Sequence, residues 1–231
     1  MNVIGLIGAM DEEVAVIKGW MTDMTETTLA GCEFYSGYLD GQAVVLLKSG
    51  IGKVNAAIST TLLMTKFAPS HVINIGSAGG FDPELEVGDV IISDEVIHHD
   101  VDVTAFGYKF GQLPSMPETY TADAALVSVA KKAVATVGKV SAKTGLIGSG
   151  DVFMCEPTRV ARVRELFPTM KAVEMEAAAV AQVCYKFSVP FVVVRSLSDV
   201  ADKESPASFE EYLAVAALNS SNMIRAMLQE L

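Results

Sequence analysis

The chain has 231 residues, with 28 acidic against 17 basic side chains and a formal net charge of −11. So acidic a surface repels nucleic-acid backbones and anionic lipid, and no apolar run approaches the ~20 residues that cross a bilayer, so neither nucleic acid nor membrane is expected as a partner. The length and the even spread of apolar segments predict a single domain over residues 1–231.

Val3-Ile4-Gly5-Leu6-Ile7-Gly8 suits a buried strand, and Asp11 to Trp20 continues with Val14, Ile17 and Met21 at helical spacing. Met1 to Met10 lacks the basic start of a signal peptide, which points to a cytoplasmic chain. At the start of the predicted helix, Asp11-Glu12-Glu13 favours the macrodipole and, taken alone, reads as N-terminal capping. Cys32 to Leu39 and Gln42 to Lys48 flank Asp40-Gly41, a two-residue turn signal, and so predict an antiparallel hairpin. Gly52 to Phe67 reads as a helix closed by Pro69, and His71 to Ile75 as a strand running into Gly76-Ser77-Ala78-Gly79-Gly80. That glycine-rich segment matches neither the dinucleotide nor the triphosphate pattern, and no cofactor is expected. Its glycines serve either a tight turn or the close approach of backbone N–H groups to a sugar or base.

Further strands are predicted at Asp89 to Val96, Ala142 to Ser149 and Ala172 to Val173, and helices at Asp123 to Ala135, Pro157 to Leu166, Ala177 to Lys186 and Ser208 to Leu231. The sum is an α/β fold, a three-layer α/β/α sandwich around a central mixed, twisted β-sheet. One long irregular segment, His98 to Thr121, carries Val101, Val103, Phe106, Tyr108, Phe110, Leu113 and Pro114. A loop that apolar must cover a pocket or meet a second subunit. His98-His99-Asp100-Val101-Asp102 fits no zinc spacing and reads as a polar opening to that loop, so no metal is expected. Cys32, Cys155 and Cys184 are odd in number and widely spaced, and suit reduced packing thiols.

Two segments concentrate buried charge. Glu174 and Glu176 lie between Ala172-Val173 and Ala177-Ala178-Ala179, flanks that look buried, so each carboxylate needs a partner. Phe191-Val192-Val193-Val194 suits a buried strand, yet Arg195-Ser196-Leu197-Ser198-Asp199 follows at once. In an open α/β sheet ligands bind beyond the carboxyl ends of the strands, so this segment is either an active-site rim or an ordinary polar loop.

Taken in order, Gly8-Ala9-Met10-Asp11-Glu12-Glu13, Ser49-Gly50-Ile51-Gly52-Lys53, Gly76 to Gly80, Asp102 to Tyr108, Gly148-Ser149-Gly150-Asp151, Val173-Glu174-Met175-Glu176-Ala177 and Arg195 to Asp199 span nearly the whole chain. Together they closely resemble the bacterial 5′-methylthioadenosine/S-adenosylhomocysteine nucleosidases, in the superfamily of the purine nucleoside and uridine phosphorylases. The resemblance implies a phosphorylase/hydrolase-like fold and hydrolysis of the N-glycosidic bond of 5′-methylthioadenosine, S-adenosylhomocysteine and 5′-deoxyadenosine to adenine and the 5-substituted ribose, serving methionine salvage. Asp11, where Glu is common, and Ser196-Leu197 depart from the family pattern outside these roles.

The same resemblance assigns roles. Adenine leaves poorly as an anion, so Asp199 is implied as the general acid that protonates N7, worth ~10²–10⁴ in rate. Burial beside neighbours such as Val200 is expected to raise its pKa. Glu13 is implied to position and deprotonate the attacking water, and Glu176 to accept hydrogen bonds from the ribose hydroxyls, oriented by Arg195. Ser198, Phe153 and the backbone near Met154 are implied to hold adenine, and Ser77 to bind substrate from the glycine-rich segment. Met10, Ile51, Met175 and Phe209 are implied to line an apolar slot for the thioether. Val103, Phe106, Tyr108 and Pro114 resemble residues lent by a neighbouring subunit, which implies a homodimer. By analogy with inverting glycosidases, Asp199 and Glu13 are expected on opposite sides of the ribose carbon. Asp202 reads as a loop or capping residue.

Two alternatives remain. A phosphorylase needs clustered cationic donors beside the ribose, whereas Gly8 to Glu13 offers no Arg, and Arg159, Arg162 and Arg164 read as solvated helix surface. A non-catalytic adenosine-binding module would lack Asp199 or Glu13, and both are present.

Overall fold

A computed structural model describes residues 3–137, 141–201 and 205–231; Asp202 lies outside them. Strand β1 (Ile4–Gly8) leads into helix α1 (Asp11–Trp20) and the antiparallel strands β2 (Thr22–Leu29), β3 (Cys32–Leu39) and β4 (Gln42–Lys48). Then come α2 (Lys53–Phe67), β5 (His71–Gly80), β6 (Val90–His98), β7 (Tyr120–Thr121), α3 (Ala124–Val137) and β8 (Ala142–Ser149). The chain closes with α4 (Pro157–Leu166), β9 (Met170–Glu174), α5 (Ala177–Phe187), β10 (Phe191–Val200) and α6 (Ser205–Leu228).

The predicted hairpin is present. Asp40 and Gly41 have φ of 49° and 86°, the doubly positive pair that a type I′ turn demands, with Leu39 opposite Gln42. Ala30-Gly31, at 49° and 78°, turns β2 into β3 in the same way. Strand β2 itself carries no apolar alternation that would announce it: it is the free edge of the sheet, and most of its side chains face water. Charge on such an edge discourages pairing with other chains.

Among the described residues, ten strands form one mixed sheet in the order β10-β6-β8-β9-β5-β1-β4-β3-β2, with β7 beside β6. Strand β10 also pairs with β5, so β5, β9, β8, β6 and β10 close into a small barrel from which the other strands extend. The central mixed sheet is therefore as expected, and part of it is curled shut. Helices α2 and α5 pack on each other, while α1 and α3 pack against α6, which lies along β10 and β5. Strands β5 and β10 run parallel from Phe191 opposite Val72 to Val194 opposite Ile75, all buried. Each fully buried Val, Ile or Phe among them stabilises the fold by about 1.5–3 kcal/mol.

Two expectations change here. Gly76 to Gly80 is not a turn, and Arg195 to Val200 is not a loop: both continue their strands, in register from Gly76 opposite Arg195 to Gly80 opposite Val200, with an irregularity between Leu197 and Asp199. The ladder satisfies their backbone groups, so side chains can turn polar without ending the strands. On its other edge β5 follows β1 as far as Asn74 and meets β9 at Gly79. Between those points the edge is open, and the site is built there.

His98 and His99 also differ from a polar loop opening. Both are buried, His98 Nε2 lies 3.0 Å from Gln182 Oε1, and burial pushes both imidazoles below their ordinary range. Arg159 and Arg162 are exposed as expected. Arg164 is half-buried, with its guanidinium 5.0 Å from the Phe81 ring and its Nε donating to Phe81 O at 3.2 Å.

Candidate active site

Glu13 sits in the first turn of α1 and is 1% exposed. Its Oε2 accepts the N–H groups of Ala9 (2.7 Å) and Met10 (3.2 Å), so the capping reading is realised. Its Oε1 crosses to the open edge of β5 and accepts the Ser77 N–H at 3.0 Å and the Ser77 hydroxyl at 3.1 Å. The carboxylate thus takes the place that a neighbouring strand's carbonyl would fill. Gly76, at φ 148°, makes this possible: a Cβ there would stand 2.3 Å from Arg195 Nη1 and 2.6 Å from Glu13 Oε1.

Beneath Glu13 lies a buried charge network. Arg195 donates from Nη2 to Glu174 Oε2 at 2.5 Å and to Asn74 Oδ1 at 2.8 Å, and from Nη1 to Ser77 O at 3.3 Å. Its distance to Glu176 Oε2 is 3.7 Å, so Glu174 is the tighter partner of the cation expected to orient Glu176. Glu174 in turn accepts the N–H groups of Glu176 and Ala177, both at 2.9 Å, and the Ser149 hydroxyl, which itself receives the Ala178 N–H. The start of α5 is therefore capped by side chains at the ends of the paired strands β9 and β8. Glu176 accepts the Gly52 N–H at 2.9 Å. Burial, and then the neighbouring charge of Glu174, push its carboxyl well above the usual carboxylate range against the pull of Arg195 and the Gly52 N–H.

Asp199 is near the end of β10 and 3% exposed. The Ser198 hydroxyl donates to its Oδ1 at 3.0 Å. A Cβ on Gly79 would stand 3.2 Å from Asp199 Oδ2, so the glycines of β5 serve close approach, although of carboxyl side chains.

These groups surround one cavity of about 220 Å³. Its lining holds Glu13, Ser77, Glu176, Ser198 and Asp199 together with Met10, Ile51, Phe153, Met154, Met175 and Phe209, which the family resemblance groups in one site. Phe153 and Phe209 meet edge to face with ring centres 5.7 Å apart. Arg195 lies below the lining. Ala9, Ala78, Gly79, Val152, Val173 and Glu174 complete the wall, and apart from Glu174 their sequence does not mark them as site residues. For Glu174 the signal is present, as a carboxylate with buried flanks. Val103, Phe106, Tyr108 and Pro114 do not line the cavity of their own chain, and Phe106 is 81% exposed.

The chemical character of the site is acidic. Among the described residues around the cavity, Glu13, Glu174, Glu176 and Asp199 are buried with a single buried guanidinium, Arg195. Such a site favours a positively charged intermediate over an anionic ligand.

Comparison with known proteins agrees with this arrangement. The model of the phosphorylase superfamily matches residues 3–230. A 5′-methylthioadenosine/S-adenosylhomocysteine nucleosidase of Marinomonas sp. (strain MWYL1) is 71% identical over 229 residues, covering 99% of both chains. Two solved structures superpose with a TM-score of 0.98: the nucleosidase of Colwellia psychrerythraea 34H in complex with adenine (52% identical, covering 100% of this chain and 96% of that one), and that of Neisseria meningitidis in complex with methylthio-immucillin-A (44% identical, covering 100% of both). With motifs, fold and site in agreement over the whole described chain, this protein belongs to the 5′-methylthioadenosine/S-adenosylhomocysteine nucleosidases of the phosphorylase superfamily.

Proposed function

We propose that the chain hydrolyses the N-glycosidic bond of 5′-methylthioadenosine and S-adenosylhomocysteine, and also of 5′-deoxyadenosine, releasing adenine and the 5-substituted ribose. The observation that carries water over phosphate is the charge around the cavity, four buried carboxyl side chains against one guanidinium already engaged by Glu174 and Asn74. A phosphate nucleophile would need cationic donors there and would meet carboxylates instead.

Asp199 donates a proton to N7 of adenine, so the base leaves neutral and the bonding electrons of C1′–N9 go with it. Ser198 fixes the acid through its hydroxyl. The ribosyl cation left behind is stabilised by the surrounding carboxylates, and Glu176 holds the ribose hydroxyls. Glu13 then takes a proton from the attacking water. A carboxylate has about four lone-pair sites, and the four donors on Glu13 are three backbone N–H groups and the Ser77 hydroxyl. The hydroxyl is the donor that can rotate away, and it yields its place to the water. Phe153 and Met154 flank the base, while Met10, Ile51, Met175 and Phe209 take the thioether.

We further propose a homodimer in which Val103, Phe106, Tyr108 and Pro114 close the thioether end of the partner's cavity. The exposure of Phe106, together with that of Ile51 (50%) and Phe153 (39%) at the cavity wall, supports this reading. Free Cys32, Cys155 and Cys184 support a reducing, cytoplasmic setting. The test of the reaction is adenine release from 5′-methylthioadenosine with and without phosphate. Equal rates are expected; strict dependence on phosphate would replace hydrolysis by phosphorolysis.

A further inference from the structure

The first turn of α2 is held by a polar clamp outside the cavity wall. Gly52, at φ +95°, adopts a conformation suited to glycine, and its N–H makes the 2.9 Å bond to Glu176 Oε1. The adjacent N–H, that of Lys53, donates to Asp151 Oδ1 at 2.7 Å. The Lys53 ammonium donates to Asp100 Oδ1 at 2.5 Å, and Asp100 Oδ2 accepts the Asp151 N–H at 3.0 Å. The three residues close a ring that ties the start of α2 to the segments leaving β6 and β8. Burial opposes the Asp100 charge, but the Lys53 ammonium and the Asp151 N–H outweigh it and hold the carboxyl below its usual range.

Glu176 depends on this ring. Among the described residues, the other donor beside its carboxylate is Arg195 at 3.7 Å, beyond hydrogen-bond distance, and Arg195 is bound more tightly to Glu174. The Gly52 N–H is thus the close contact that sets the direction of the Glu176 carboxylate, and Asp151 sets the backbone that presents it. We infer that Asp151, Lys53 and Asp100 are positioning residues for the reaction: they fix the Gly52 N–H, which fixes Glu176 and leaves its remaining lone pairs for the ribose hydroxyls. The inference rests on the reading of Glu176 as the ribose-binding carboxylate.

A plain helix cap would stabilise α2 without caring which substrate is bound, and that difference provides the test. We would measure kcat/KM for 5′-methylthioadenosine and for its 2′,3′-dideoxy analogue in the parent protein and in Asp151→Ala, Asp151→Asn, Lys53→Met and Glu176→Gln, with circular dichroism and thermal melts on each. Asp151→Ala is expected to lower kcat/KM about tenfold on the hydroxylated substrate and less than about twofold on the analogue, the effect of one misdirected hydrogen bond. Asp151→Asn keeps an acceptor oxygen and restores most of the activity. Lys53→Met keeps the stem, loses the Asp100 pair and shows the same selectivity at smaller amplitude; it carries the test if Asp151→Ala does not fold. Equal losses on both substrates, or none on either, would overturn the clamp while a hydroxyl-selective loss in Glu176→Gln left the parent reading standing. If Glu176→Gln itself shows no such selectivity, the ribose reading falls and the clamp falls with it.

Discussion

Replacing Arg195 with Met removes the guanidinium that lies among Glu174, Glu176 and Glu13, and its cost can be worked from the contacts. The side chain is 1% exposed and bonds to Glu174 Oε2, Asn74 Oδ1 and Ser77 O. Breaking a buried ion pair from one side costs about 3–5 kcal/mol, because the other charge is left unpaired in the core. That cost depends on pH in a definite direction. Burial and Glu174 already raise the Glu176 carboxyl above its unfolded value, near 4.3 for a free Glu, and loss of the cation raises it further. A group with a raised folded pKa contributes stability that is fully present below its unfolded pKa and is lost as the pH climbs through its folded pKa. Arg195→Met is therefore expected to lose about 3–5 kcal/mol at pH 8. At pH 5, where proton uptake relieves the buried charge, it should lose only about 1–2 kcal/mol, from the unpaired Asn74 and Ser77 acceptors. Urea unfolding at both pH values, at one fixed protomer concentration, measures this. The double variant Arg195→Met/Glu174→Gln should recover part of the loss at pH 8. Equal losses at the two pH values would refute the electrostatic account and leave simple packing.

Asp199→Asn should lower the rate of adenine release ~10²–10⁴-fold with binding of a non-hydrolysable analogue retained, as single-turnover kinetics and titration calorimetry would show. Gly76→Ala pushes a methyl to within 2.6 Å of Glu13 and 2.3 Å of Arg195, and should reduce kcat/KM by about 100-fold or more even where the protein still folds. Phe106→Asp, at a position 81% exposed in its own chain, should shift sedimentation toward the monomer and raise KM for the thioether substrate. A dimer with unchanged KM would exclude this loop from the neighbouring cavity.

Local chemistry was legible where one interaction decides it. Asp40-Gly41 specifies a hairpin because few residues accept two successive positive φ values. Helices α1 and α4 begin and end where periodicity and Pro157 place them. The cavity wall was legible through the segments that carry the family resemblance. What remained hidden is long-range. The extension of β5 and β10 through glycines and polar residues depends on each strand supplying the other's partners, a fact of register that neither segment contains alone. The double pairing of β10 that closes the barrel is hidden for the same reason. The tight pairing of Arg195 with Glu174 arises because β9 and β10 are brought together through β5, and the spacing of these residues in sequence does not distinguish Glu174 from Glu176.

The Ser77 amide, which bonds to a side chain where its strand neighbours have backbone partners, has a consequence for solvent exchange. Amides in the middle of a buried sheet exchange with deuterium only when the sheet opens. The Ser77 amide is released whenever Glu13 leaves its seat, without any strand separating. Its exchange rate, set against that of Val72 or Ile73 a few residues upstream, is a clock for the Glu13 carboxylate alone, readable in the intact enzyme with no substrate turning over.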